Sequence, residues 1–172
     1  MNKTMDTIQI LKILKKAMGP NFVGVFPSDQ LPEPTKQKPF GMVVNLDPST
    51  KPGSHWVAIY VSEFNVPEYF DSYGFPPQIP SIKKFLSRFP TKKYNKKQVQ
   101  GPLSSVCGHY CVYYLIQRHQ KKSMVDILSG FGGDLIQNDD AVTDWVNEYF
   151  DLDTETYELE YIVNQLCHAM NG

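Results

Sequence analysis

The segment Gln100-Gly-Pro-Leu-Ser-Ser-Val-Cys107-Gly108 constrains this chain more than any other. It is a Gly/Pro-containing loop that gives way at Cys107 to an apolar run of helical length, Tyr110 to Ile116. A thiol at such a junction meets the unpaired N–H groups of a first helical turn and the positive end of the helix dipole. Both favour a thiolate and so a better nucleophile. Gln100 returns a side-chain amide donor toward the same spot, the kind of group that holds a developing oxyanion. From Cys107 to about His119 the helix is apolar almost all round, which predicts a buried central helix.

The elements that must surround it can be read upstream. Ile8, Leu11, Leu14 and Met18 recur at helical spacing, so the first eighteen residues predict an amphipathic helix, ended by Gly19-Pro20. Phe22–Phe26, Phe40–Leu46 and His55–Val61 are apolar, β-branched runs and predict strands, the last two buried on both faces. Glu68–Asp71 is expected as the next strand and Tyr94–Val99 as a further one. Pro27, Pro32, Pro34 and Pro39 keep the stretch between the first two strands irregular. Helices are predicted over about Ser81–Arg88, Met124–Leu128, Asp139–Tyr149 and Glu155–Met170. The expected class is therefore α+β: a small mixed sheet flanked by helices, in one domain spanning 1–172, with a helical C-terminal part from about 124.

Charge is segregated along the chain although the formal net charge is only −1. Ser72–Val125 holds ten Lys/Arg and no acid, whereas Asp126 to the end holds eleven Asp/Glu and no Lys or Arg. The expected outcome is that the acidic part packs near the basic part and the fields largely cancel. No window approaches the length and hydrophobicity of a membrane span. Asp6, Lys12, Lys15 and Lys16 interrupt the N-terminal stretch, which argues against a signal peptide. Three cysteines fit a reducing compartment better than a disulfide framework.

His55 opens one predicted strand and Asp71 closes the next, with the midpoint between them at Glu63, inside the connection. Antiparallel pairing about that point would set them side by side, where a carboxylate fixes the tautomer of an imidazole and stabilises its cation. Cys107 then needs only to reach the other ring nitrogen. The string Cys107, His109, Cys111 has the residue types of a zinc site. Positions i, i+2 and i+4 on one helix do not converge on a point, however. Cys111 and Cys167 are expected to be structural, and Trp56 to be core with a supporting role.

In these motifs the chain resembles the adenovirus-type cysteine endopeptidases (the adenain family), including those of adenovirus-like viruses and Polinton/Maverick elements. The matching stretches are Met18–Gly24, Gly53-Ser-His-Trp56, Phe70-Asp-Ser-Tyr-Gly-Phe75 and Val99–Gly108, within roughly residues 8–120. The resemblance implies the α+β fold shared by papain-like and SUMO-protease-like enzymes. It implies His55 as general base, Cys107 as nucleophile, Asp71 as the third member, and Gln100 with the Cys107 backbone N–H as the oxyanion hole. It further implies protein substrates, structural precursors of a virus or element cut at Gly-containing sites, by a monomer in the host nucleus or cytoplasm or within the virion.

Adenoviral enzymes are stimulated by a cysteine-bearing peptide and by DNA. No cysteine here matches the peptide-accepting position, and a pI near 6.4 argues for weak nucleic-acid binding. No cofactor is expected for the chemistry itself. Two alternatives remain at this stage: a SUMO- or ubiquitin-like modifier protease, and a non-catalytic binding module. The first is disfavoured by the Gln–Cys spacing and the Gln-Gly-Pro start, the second by the four filled positions.

Overall fold

The computed structural model describes residues 4–150. Its order is α1 (Thr7–Met18), β1 (Phe22–Pro27), β2 (Phe40–Asn45), β3 (Trp56–Val61), β4 (Pro67–Phe70), α2 (Pro80–Leu86), β5 (Lys93–Tyr94), α3 (Cys107–His119), α4 (Met124–Ser129) and α5 (Leu135–Phe150). The strands form one mixed sheet in sequential order, parallel at both edges and antiparallel between β2, β3 and β4. The fold is thus α+β, a small mixed sheet with helices from both ends of the described chain, as the sequence predicts. The Glu155–Met170 segment lies outside the described residues.

Local chemistry sets the boundaries. Asp6 accepts a hydrogen bond from the Gln9 N–H while the Gln9 side chain accepts one from the Asp6 N–H. This reciprocal cap starts α1 at Thr7, later than the apolar pattern suggested. Asp134 accepts from the N–H groups of Ile136 and Gln137, which extends α5 four residues upstream of the expected start. In α3 the boundaries agree with the sequence reading at both ends.

The sheet separates two cores. On one face, Val43, Ala58, Tyr60 and Phe70 meet α1, α3 and α5; on the other, Met42, Val57, Ile59 and Tyr69 meet α2. Both β2 and β3 are buried along their length apart from the half-exposed Trp56, as central strands are. The buried face of α1 contributes Ile10, Ile13, Leu14 and Met18, each worth roughly 2 kcal/mol of apolar burial. At the far end of the β3–β4 ladder, Arg118 of α3 grips Glu68 through Nε and Nη2 at 2.8–3.1 Å, and the Tyr114 hydroxyl donates to the same carboxylate. The Phe70 and Tyr114 rings stack at 4.3 Å beside them. That end of α3 is therefore anchored by a buried ion pair, the other by the loop that precedes Cys107.

Two expectations need correction. The hairpin pairs Val61 with Pro67 and Ala58 with Phe70, so it is centred on Phe64 and not Glu63. Asn65, with φ 63°, turns back to Ser62, and the Ser62 N–H closes on the Val66 carbonyl. By this register Asp71 stands opposite Val57, and His55 opposite Tyr73. His55 and Asp71 are therefore diagonal neighbours, which long side chains still bridge.

The second correction concerns the strand expected over Tyr94–Val99: only Lys93 and Tyr94 pair with β4. The reason is Asn95, whose side chain accepts from the Asp71 N–H at 2.9 Å and donates to the Asp71 carbonyl at 2.6 Å. It takes the backbone groups that a continued ladder would have used, and the chain runs on as an irregular strap.

Candidate active site

Beyond the ends of β3 and β4, the His55 Nε2 lies 2.8 Å from Asp71 Oδ1. The pair is shielded, with side-chain exposures of 12% and 3%. Asp71 Oδ1 also accepts the Tyr73 N–H, which fixes the carboxylate within its own turn. The imidazole lies against the Tyr73 ring, centroids 4.8 Å apart and planes 26° from parallel. Its second neighbour is the Cys107 thiol. Burial alone would lower the His55 pKa, but the hydrogen bond His55 makes to Asp71, the nearby Cys107 sulfur and their charges outweigh it. The result is a rise from the ordinary 6.5 to about 9. His55 and Cys107 border the same cleft.

Cys107 is the first residue of α3. Its backbone N–H belongs to the unpaired set at a helix start and is free to act as a donor. Gln100 is fully buried, and its orientation is set by Ser72, whose hydroxyl donates to Gln100 Oε1 at 2.6 Å. That contact turns Nε2 toward Ser104, with the carbonyl oxygen at 3.0 Å and the hydroxyl at 3.1 Å. Both contacts of the Gln100 amide nitrogen are thus made within its own loop.

A cleft of about 360 Å³ unites these groups, walled by Thr4–Asp6, Gly53–Trp56, Tyr73, Gln100, Ser104, Ser105 and Cys107. Across Trp56 and Gly53 it adjoins a second hollow of about 270 Å³. On the far side of His55 a mainly apolar hollow of about 330 Å³ is bordered by Leu46, Tyr69, Phe75 and Ile79. Trp56 is half-buried against the α3 core and forms part of the cleft wall.

The structure thus brings His55, Gln100 and Cys107 to one cleft, with Asp71 behind His55 on the side of the apolar hollow. Cys111 is buried a turn deeper, where loss of water pushes its thiol pKa up. His109 is buried as well, and burial lowers its pKa to about 4. Among the described residues no three His, Cys, Asp or Glu side chains gather as a metal-binding set. Tyr73 and Asn95 were not singled out from the sequence as members of the site. Tyr73 lies within the Phe70–Phe75 motif and could have been found there; Asn95 carries no local signal.

The fold and cluster define an α+β protein with a Cys–His–Asp arrangement at the start of a buried helix. Three solved structures are similar to it over part of their length. They are the ASFV protease (30% identity, TM-score 0.44, covering 60% of this chain and 42% of that one), ChlaDub1 from Chlamydia trachomatis (21%, 0.48, 64% and 58%), and the Chlamydia trachomatis effector protein Cdu1 bound to ubiquitin (20%, 0.46, 64% and 59%). The matches thus span less than two thirds of each of those chains. No protein-family model matches this chain, and no curated protein matches it significantly. Among the described residues, no helix is long and apolar enough to cross a membrane.

Proposed function

We propose that this chain is a cysteine endopeptidase that cuts structural precursor proteins of a virus or mobile element at glycine-containing sites. The observation that carries the reading is a single imidazole, His55, held by a buried carboxylate on one side and facing a helix-start thiol on the other. The adenain-like order of motifs supports the class of substrate.

In this reading the Cys107 thiolate attacks the scissile carbonyl carbon. The carbonyl oxygen becomes an oxyanion and is held by the Cys107 N–H and the Gln100 amide. Protonated His55 gives its proton to the leaving nitrogen as the C–N bond breaks, which leaves a thioester. Neutral His55 then takes a proton from water, whose oxygen attacks the thioester carbon; the C–S bond breaks, which frees the acid and restores the Cys107 thiolate beside protonated His55. The sequence of steps needs no metal or cofactor.

Cleavage of a Gly-Gly peptide panel and of ubiquitin and SUMO fusions, by wild type and Cys107→Ala, tests the proposal. The expected result is cutting of the peptides, abolished in the variant. Gln100→Ala should retain a measurable rate reduced by about 10²–10³-fold, the usual worth of one oxyanion donor. Cutting of the fusions in place of the peptides would assign a modifier protease. Full activity in a clean Cys107→Ala preparation would overturn the assignment.

A further inference from the structure

The strap from Asn95 to Gly101 carries Gln100, yet it belongs to no helix or strand beyond Tyr94. Its position is fixed from two sides. On the Asp71 side, Asn95 holds the Asp71 backbone, and the N–H groups of Val99 and Gln100 both donate to the Ser72 carbonyl. Gly74, at φ 76°, lets this segment pass against the turn. A Cβ there would stand 2.9 Å from the Lys96 carbonyl oxygen and the Gln98 nitrogen.

On the opposite side the fastenings come from the acidic C-terminal part. Asp139 of α5 is buried and accepts the Gly101 N–H with both carboxylate oxygens, at 3.2 Å each. The Tyr110 hydroxyl of α3 lies 2.9 Å from Asp139 Oδ1 and 2.8 Å from the Val99 carbonyl, and shares its one proton between them. Asn138 donates to the same Val99 carbonyl at 3.2 Å. Lys97 Nζ reaches back to the carbonyls of Leu128 and Phe131. Gly101 allows the carboxylate this close: an added Cβ would be 2.7 Å from Asp139 Oδ2.

We infer that Asp139 is a positioning residue for the oxyanion hole: it pins the Gly101 N–H and so sets the place of the adjacent Gln100 amide. The inference rests on the reading of Gln100 given above. Among the described residues, Asp139 bonds to Gly101, Tyr110 and Thr143 and to neither Cys107 nor His55, so its effect passes through the loop. A buried carboxylate that accepts a backbone N–H and a tyrosine hydroxyl is a costly group to place in a core; its removal orphans the Gly101 N–H and leaves the Tyr110 proton to the Val99 carbonyl alone. The geometry gives the acidic segment a role in the site as well as in the core.

Two readouts test the inference on the full chain. Amide hydrogen exchange reads the loop directly: Asp139→Ala should raise exchange at Gly101 by at least tenfold, with α3 protection and the Cys107 alkylation rate by iodoacetamide unchanged. Peptide hydrolysis reads the consequence: kcat should fall at least tenfold, and by no more than in Gln100→Ala, with KM within about twofold. Asp139→Asn keeps one acceptor oxygen and should recover part of the loss; it also serves if the alanine variant fails to fold. Adding Asp139→Ala to Gln100→Ala should change kcat by less than about twofold, because both act through one donor. Asp140→Asn, on the exposed side of the same helix, is the control.

A folded Asp139→Ala or Asp139→Asn protein with wild-type exchange at Gly101 overturns the inference. So does multiplication of the two losses in the double variant. If wild type cleaves no peptide while the Asp139 variants still free Gly101, the protease reading fails and the pinning of the loop stands.

Discussion

His55 and Asp71 sit at the ends of paired strands, whereas Gln100 sits on a strap held by two backbone bonds to the Ser72 carbonyl and otherwise by side chains. The first pair hangs from a hairpin whose ladder is closed by backbone hydrogen bonds and buried on both faces. The second sits on a strap fastened by Asn95, Ser72, Tyr110, Asn138 and Asp139, drawn from as far as 39 positions along the chain. Backbone ladders tolerate side-chain change; side-chain fastenings do not. The acid–base half of the cluster should thus survive many substitutions in its supports, and the oxyanion half few.

Substitutions can break this contrast. The largest expected effect is at Asp71. Asp71→Asn removes the charge and the tautomer control from His55, and kcat/KM should fall by about 10³–10⁴-fold. The pH profile sharpens the point. A His55 that must be protonated to release the amine loses activity as pH rises through about 9. Without the Asp71 charge that limb should move toward the ordinary 6.5. The same shift carries a stability linkage. Its contribution is fully present below pH 6.5 and is lost as pH climbs through about 9, because the folded form holds the proton more tightly. A pH–rate profile for both proteins measures the first effect, and thermal melts of wild type and His55→Gln between pH 6 and 10 the second.

Arg118→Met separates scaffold from site. It leaves the Glu68 carboxylate, whose side chain is 5% exposed, without its ion pair, and should cost about 3–5 kcal/mol of stability. The pair stands at the far end of the ladder, so kcat at temperatures where the variant stays folded should remain within about twofold. Urea unfolding and steady-state kinetics on the same sample give both numbers. A large loss in kcat would show that the ladder does not forgive the loss of a remote support.

Lys97→Met is the smallest change expected. The ammonium donates to two α4-region carbonyls from a partly exposed position, so its loss should lower stability by about 1 kcal/mol. The strap keeps its Asp139 and Asn95 fastenings, and kcat should fall less than threefold. A fall as deep as that of Asp139→Ala would mean that the strap depends on all its fastenings together.

The same contrast explains what could be read from the sequence. Strand runs, the α3 boundaries and the four residues around the cleft all have local signatures: alternation or apolar continuity, a Gly/Pro loop before a helix, and residue types spaced by one hairpin. Asn95 and Asp139 have none. Each works because its side chain substitutes for a backbone partner contributed by a remote segment, and nothing in the neighbouring residues announces such a meeting. The Tyr94–Val99 strand was expected for that reason: its composition is extended, but the ladder it would join is already occupied by an amide side chain. The one-residue shift of the hairpin centre has a similar origin, in the left-handed turn at Asn65.

The distance along the chain between the strap and its fastenings bears on when activity can arise during synthesis. Translation delivers the chain from its N-terminus at about 5–20 residues per second, and local ladders form as they emerge. The β2–β3–β4 meander closes within residues 40–70, so His55 and Asp71 can meet early. Cys107 follows, but Asp139 is synthesised 38 positions after the Gly101 N–H it accepts. A nascent chain that has released its nucleophile therefore lacks a fixed oxyanion donor until α5 docks. On the protease reading, such a chain is born inert on the ribosome and turns on when α5, the last helix among the described residues, packs.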